Sequence, residues 1–120
     1  MSLDVYLNRT VYLSYDKGVT YTEQQEEVYS ANITHNLAEM ASKAGIYEAL
    51  WEPEEINAEK AKDIIEIVEA GLTDLKNRPE YFKQFNSPNG WGIYKHFVPF
   101  VEKYLNALKE NPEACIEVSR

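Results

Sequence analysis

From Leu3 onward, apolar and polar residues alternate with a period of two: Leu3, Val5 and Leu7, then Val11, Leu13 and Tyr15, then Val19 and Tyr21. Successive side chains of a strand point to opposite faces, so this spacing predicts strands with one covered face. Asp16-Lys17-Gly18 lies between two of the runs, and a glycine late in a short loop supplies the positive φ that hairpin turns need. A hairpin is predicted across residues 10 to 30. Tyr12, Tyr15, Tyr21 and Tyr29 suit half-buried cross-strand pairs with their hydroxyls in water. Glu23-Gln24-Gln25-Glu26-Glu27 is too polar for a core strand and reads as an exposed strand end or a bulge.

At Thr34 the period changes. Leu37, Met40, Ala41 and Ala44 recur at helical spacing, Thr34 can cap the N-terminus, and Gly45 can end the helix. Ile46 to Trp51 continues as a short helical piece until Pro53, whose ring disfavours the α conformation at the residue before it. The clearest stripe is Ala61, Ile64, Ile65, Val68, Leu72 and Leu75, with Glu59, Lys62, Asp63, Glu66 and Glu69 largely off it. It predicts an amphipathic helix from about Asn57 to Lys76.

Pro79 to Phe85 predicts a short helix with proline in its first turn, and Asn86-Ser87-Pro88-Asn89-Gly90 is a loop. Trp91, Tyr94, Phe97, Val101, Tyr104, Leu105 and Leu108 then form a second long apolar stripe ending near Asn111-Pro112. Pro99 falls inside that stripe, so the helix either kinks there or starts anew with Pro99 in its first turn. Cys115, Ile116 and Val118 form a short strand able to return to the hairpin. The expected fold is therefore α+β: an N-terminal antiparallel hairpin, with a small sheet completed by the C-terminal strand, packed on three to four helices.

The 120 residues fit one domain, spanning 1–120, and are too few for two well-buried cores. The net charge of −8 repels phosphate backbones at long range and disfavours direct nucleic-acid binding. A lone cysteine, Cys115, cannot close an intramolecular disulfide. With no charged start followed by an apolar run and no stretch long enough to span a bilayer, a cytoplasmic location is expected and a membrane is not.

The densest chemistry is aromatic. Tyr81, Phe82, Phe85, Trp91, Tyr94, Phe97, Phe100 and Tyr104 crowd around the Asn/Pro/Gly loop. Rings at helical spacing mostly pack a core, whereas Trp91 follows a loop, where recognition residues concentrate. Trp91 with Tyr94, Asn86 and Asn89 is thus the candidate ligand site, the ring stacking on a flat molecule and the amides orienting it. His35, Glu39 and His96 form a weaker candidate metal set of two imidazoles and one carboxylate, since Glu39 follows His35 by one helical turn. No catalytic residue is assigned and no cofactor is expected: Cys115 is far in sequence from both histidines, and Gly90-Trp91-Gly92 lacks the rest of a phosphate-binding spacing. Between Glu48 and Glu69, eight carboxylates stand against Lys60 and Lys62, a row that could imitate nucleic acid toward a basic groove.

Asn32-Ile33-Thr34-His35-Asn36-Leu37, Ala44 through Trp51, Phe85 through Gly92 and His96 through Val101 resemble small uncharacterised proteins encoded by bacteriophages and prophages. The resemblance covers most of the chain. It implies a phage or bacterial-cytoplasm setting, and it implies no activity, ligand or site residue. The expected role is a non-enzymatic interaction module that captures a small flat ligand or a host protein. An acidic nucleic-acid mimic inhibiting a host DNA-processing enzyme is the alternative, and a metal-dependent hydrolase is a second one.

Overall fold

A computed structural model describes residues 2–14, 16–18 and 20–120. Tyr15 and Val19, which the alternation placed at the end and start of the hairpin strands, lie outside the described residues. Strands β1 (Ser2–Ser14) and β2 (Tyr21–Thr34) pair antiparallel, and β3 (Cys115–Ser119) pairs antiparallel with Asp4 to Asn8 of β1, giving the order β2-β1-β3. The hairpin is thus longer at both ends than residues 10 to 30. Glu23 to Glu27 is regular strand, tolerated because both faces of this half of the ribbon are in water. The register instead shifts lower down: Leu7 faces Tyr29 while Asn8 faces Glu27, so Val28 is the extra residue of a bulge.

Below the bulge, Leu3, Val5 and Leu7 are completely buried, as the alternation requires. Among the described residues five α-helices complete the fold: α1 (Ala38–Lys43), α2 (Tyr47–Trp51), α3 (Ile65–Asn77), α4 (Pro79–Lys83) and α5 (Tyr94–Glu110). The α1 and α2 pieces meet at Gly45, whose φ of +78° is a conformation that side chains disfavour. Helix α5 packs on both α3 and β2, and its Phe97, Val101, Tyr104 and Leu108 are fully buried. It runs unbroken through Pro99, although the missing amide leaves the Lys95 carbonyl without its helical donor.

The helix expected from Asn57 begins only at Ile65. Asn57 adopts a left-handed conformation (φ +57°), and the next residues pair with the segment leading into β3. Ala61 donates its amide to the Ala114 carbonyl (2.8 Å), Lys62 to Pro112 (2.9 Å), and Ile116 to Glu59 (2.9 Å). Those amides are therefore committed across the chain rather than along a helix. The Asp63 carboxylate accepts from the amides of Glu59 and Lys60, each at 3.0 Å, and holds the turn. Ala61 and Ile64 remain buried through a single 3₁₀ turn at Ala61–Asp63, so the apolar stripe is satisfied without a helix.

Candidate functional site

The loop from Asn86 to Ile93 is held by hydrogen bonds at nearly every step. The Asn86 side chain accepts from the Tyr94 amide (2.7 Å), and Asn89 Oδ1 accepts from the Ser87 hydroxyl (2.6 Å) and the Trp91 amide (2.9 Å). Ser87 donates its amide to Gly92 (3.0 Å). Asn36, just beyond β2, donates Nδ2–H to the Trp91 carbonyl (2.8 Å). Gly92 allows this approach: its φ is +102°, and a Cβ there would stand 2.8 Å from the Asn36 Cβ.

This frame presents Trp91 with 72% of its surface exposed. Two adjacent depressions meet at it and share Asn32 and Thr34 as walls. The larger, of about 980 Å³, is lined by His35, Asn36, Tyr47, Trp51 and Arg120 as well. The smaller, of about 570 Å³, runs past Tyr29, His96, Pro99 and Phe100.

The polar groups of the larger cleft are oriented by one another. Trp51, almost fully buried, stacks on Tyr47 with ring centroids 5.5 Å apart and donates its indole N–H to His35 Nδ1 at 2.8 Å. Indole nitrogen is a donor only, so Nδ1 must be the acceptor and the neutral imidazole carries its proton on Nε2. Arg120 Nη1 donates to the Trp51 carbonyl (2.8 Å) and to Glu54 (2.6 Å). That ion pair raises the arginine pKa and lowers that of Glu54. Partial burial, followed by the Glu52 carboxylate that accepts its hydroxyl (3.1 Å), raises the Tyr47 phenol above its ordinary value.

The four residues predicted to bind a ligand therefore divide. Trp91 lines both clefts. Asn86 and Asn89 spend their side chains holding the loop, and the Tyr94 hydroxyl donates to the Leu75 carbonyl (2.7 Å), tying α5 to α3. Periodicity gave no reason to join His35, Trp51 and Arg120 to Trp91, because they come from four separate segments.

The proposed metal set does not assemble. His35 lines the larger cleft, His96 the smaller, and Glu39 a third depression beside Phe85 and Asn86. Among the described residues no three His, Cys, Asp or Glu side chains stand close enough to hold one ion. The helical step from His35 to Glu39 is also broken, since a 3₁₀ turn at His35–Leu37 precedes α1. Cys115 lies beside Arg9, Lys60 and Glu113, away from both histidines.

The acidic row between Glu48 and Glu69 is spread over α2, the intervening turns and α3. Glu54 and Asp63 are already engaged, as above. No helix among the described residues is long and apolar enough to cross a membrane. Comparison with protein-family models, curated proteins and solved structures finds no match.

Proposed function

We propose that this chain is a non-enzymatic binding module that captures a small planar ligand in the clefts meeting at Trp91. The observation carrying this reading is the exposure of Trp91 on a loop fastened by the Asn36, Asn86 and Asn89 side chains. A large ring held in water by so many ordered contacts adds little to folding, whereas a rigid, pre-oriented indole is an inexpensive stacking platform.

The same cleft offers the His35 Nε2–H and the remaining guanidinium hydrogens of Arg120 as donors toward an acceptor on the ligand's edge. Glu52 and Glu54 stand behind them, and the chain carries a net charge of −8. A neutral heterocycle of nucleobase or nucleoside type fits that electrostatic setting better than a multiply phosphorylated one. In the bacterial setting that the phage resemblance implies, such a module would act by sequestering or sensing the ligand.

The test is thermal shift and tryptophan fluorescence against nucleobases, nucleosides and mononucleotides. Saturating ligand raises the melting temperature of wild type by several degrees, following the mass-action stabilisation of the folded state. Trp91→Ala abolishes the shift while leaving the unliganded melting temperature close to wild type. Absence of any ligand-dependent stabilisation in wild type would sink the reading.

A further inference from the structure

The outer half of the hairpin has an open backbone edge, and the ladder identifies its free groups. β3 accompanies β1 only from Asp4 to Asn8. From Arg9 to Ser14 the side of β1 turned away from β2 has no strand beside it among the described residues. In antiparallel pairing, facing residues alternate between pairs that exchange hydrogen bonds and pairs that do not. The Ile116 amide donates to Glu59, and the Ala114 carbonyl accepts from Ala61, so both groups point away from β1. Ile116 and Leu7 therefore form a non-bonded pair, and Asn8 with Cys115 a bonded one. The bulge belongs to β2, so β1 keeps its period of two. Thr10, Tyr12 and Ser14 accordingly direct their N–H and C=O groups to the open edge, and Val11 and Leu13 direct theirs to β2.

We propose that this edge pairs with the same edge of a second copy, antiparallel, about a two-fold axis between the two Tyr12 residues. A symmetric antiparallel ladder sets one residue opposite itself, and Tyr12 is the middle of the outward-directed set. Thr10 then faces Ser14 and Val11 faces Leu13 across the axis. Every outward N–H and C=O of Thr10, Tyr12 and Ser14 meets a partner.

Charge distinguishes this edge from the other. Thr10 to Ser14 contains no charged residue and is rich in strand formers, whereas β2 carries Glu23, Glu26 and Glu27, which repel a like strand in the way edge charges block association. The exposed Tyr12 and Leu13 would be covered by the pairing. The register also brings the partner's Asp16-Lys17-Gly18 turn level with Asn8, where β3 begins. There a groove of about 450 Å³ lies between Arg9, Lys60, Glu110, Glu113 and Cys115, room for a turn carrying one charge of each sign.

Sedimentation velocity over a concentration series tests the proposal, with wild type shifting from monomer to dimer as concentration rises. Tyr12→Pro removes an amide that faces outward and none that faces β2, a placement edge strands accept, and it raises the dimer dissociation constant roughly tenfold or more. Tyr12→Lys keeps the backbone intact, opposes two ammonium groups across the axis, and weakens the dimer most at low salt, so it decides the matter if the proline variant folds poorly. Lys17→Cys reaches the partner's Cys115 and gives an oxidised covalent dimer well above the wild-type level, lost when Cys115→Ser is added. Within one chain the two thiols cannot join, being about 20 Å apart at ~3.3 Å per strand residue. A wild type that stays monomeric throughout, or a dimer unchanged by both Tyr12 substitutions, overturns the proposal.

Discussion

The indole N–H of Trp51 donates to Nδ1 of His35 across 2.8 Å, joining the end of α2 to the turn that follows β2. That bond fixes which imidazole nitrogen is offered to the cleft. Long-range nitrogen–proton NMR of the neutral protein should show His35 as the Nε2–H tautomer. Trp51→Phe leaves Nδ1 unsatisfied and a small void, costing about 1–3 kcal/mol and admitting the other tautomer. Observation of the Nδ1–H form in wild type would contradict the pairing.

Tyr104 is fully buried, stacks on Tyr29 at 5.9 Å, and has a hydroxyl with no partner among the described residues. Removing an unsatisfied buried hydroxyl relieves a desolvation cost, so Tyr104→Phe should be neutral or stabilising, by up to about 1 kcal/mol. Chemical denaturation at neutral pH checks this; a loss of more than that would mean the hydroxyl has a partner.

Burial, with a smaller contribution from Tyr29, pushes the Tyr104 phenol far above its ordinary value. The native state therefore keeps a proton that the unfolded chain gives up near pH 10. Its contribution to stability is whole below that pH and is lost as pH rises further. Unfolding midpoints should fall as pH climbs past about 10, less steeply in Tyr104→Phe than in wild type.

Asp63 has the opposite sign. The amides of Lys60 and Glu59, in that order, hold its carboxyl below the ordinary value. Its stabilising effect is present above the unfolded pKa and is lost as pH falls through the folded one. Asp63→Asn should lower the melting temperature at neutral pH and shrink the difference from wild type in acid. An equal deficit at every pH would show that only the turn geometry matters.

Gly71, buried in α3, lies against the α1–α2 junction, where a Cβ would come within 2.3 Å of Ile46 Cγ2 and 3.1 Å of the Ala44 carbonyl oxygen. Gly71→Ala should therefore destabilise by about 1–3 kcal/mol despite alanine's better helix propensity. Gly71→Ala combined with Ile46→Leu, which removes the Cγ2 methyl that the new Cβ would meet, should recover part of that loss.

Much of this architecture was legible where spacing is local. The stripes at Val68, Leu72 and Leu75 and at Phe97, Val101, Tyr104 and Leu108, the turn around Gly45, and the returning strand at Cys115 follow from periodicity and punctuation alone. The segment from Asn57 to Ile64 was not legible. Its helical spacing is real, yet its amides bond to Pro112 and Ala114, some fifty positions away, and no local signal reports that. The exposure of Trp91 was foreseeable because a loop precedes it, but its neighbours were not: His35, Trp51 and Arg120 each look unremarkable until the fold gathers them around one cleft. His35 and His96 were equally opaque, being assigned by three dimensions to separate clefts.

The order β2-β1-β3 places the first strand between the second and the last. On a ribosome, β1 can close its hairpin early, but its other edge must wait for Cys115 to Ser119 to emerge. Until then Leu3, Val5 and Leu7 lack part of their cover, and the exposed strand is open to mispairing. Closure of this sheet is thus coupled to the emergence of β3, and a chain stalled before it would be an aggregation hazard rather than a partly working product.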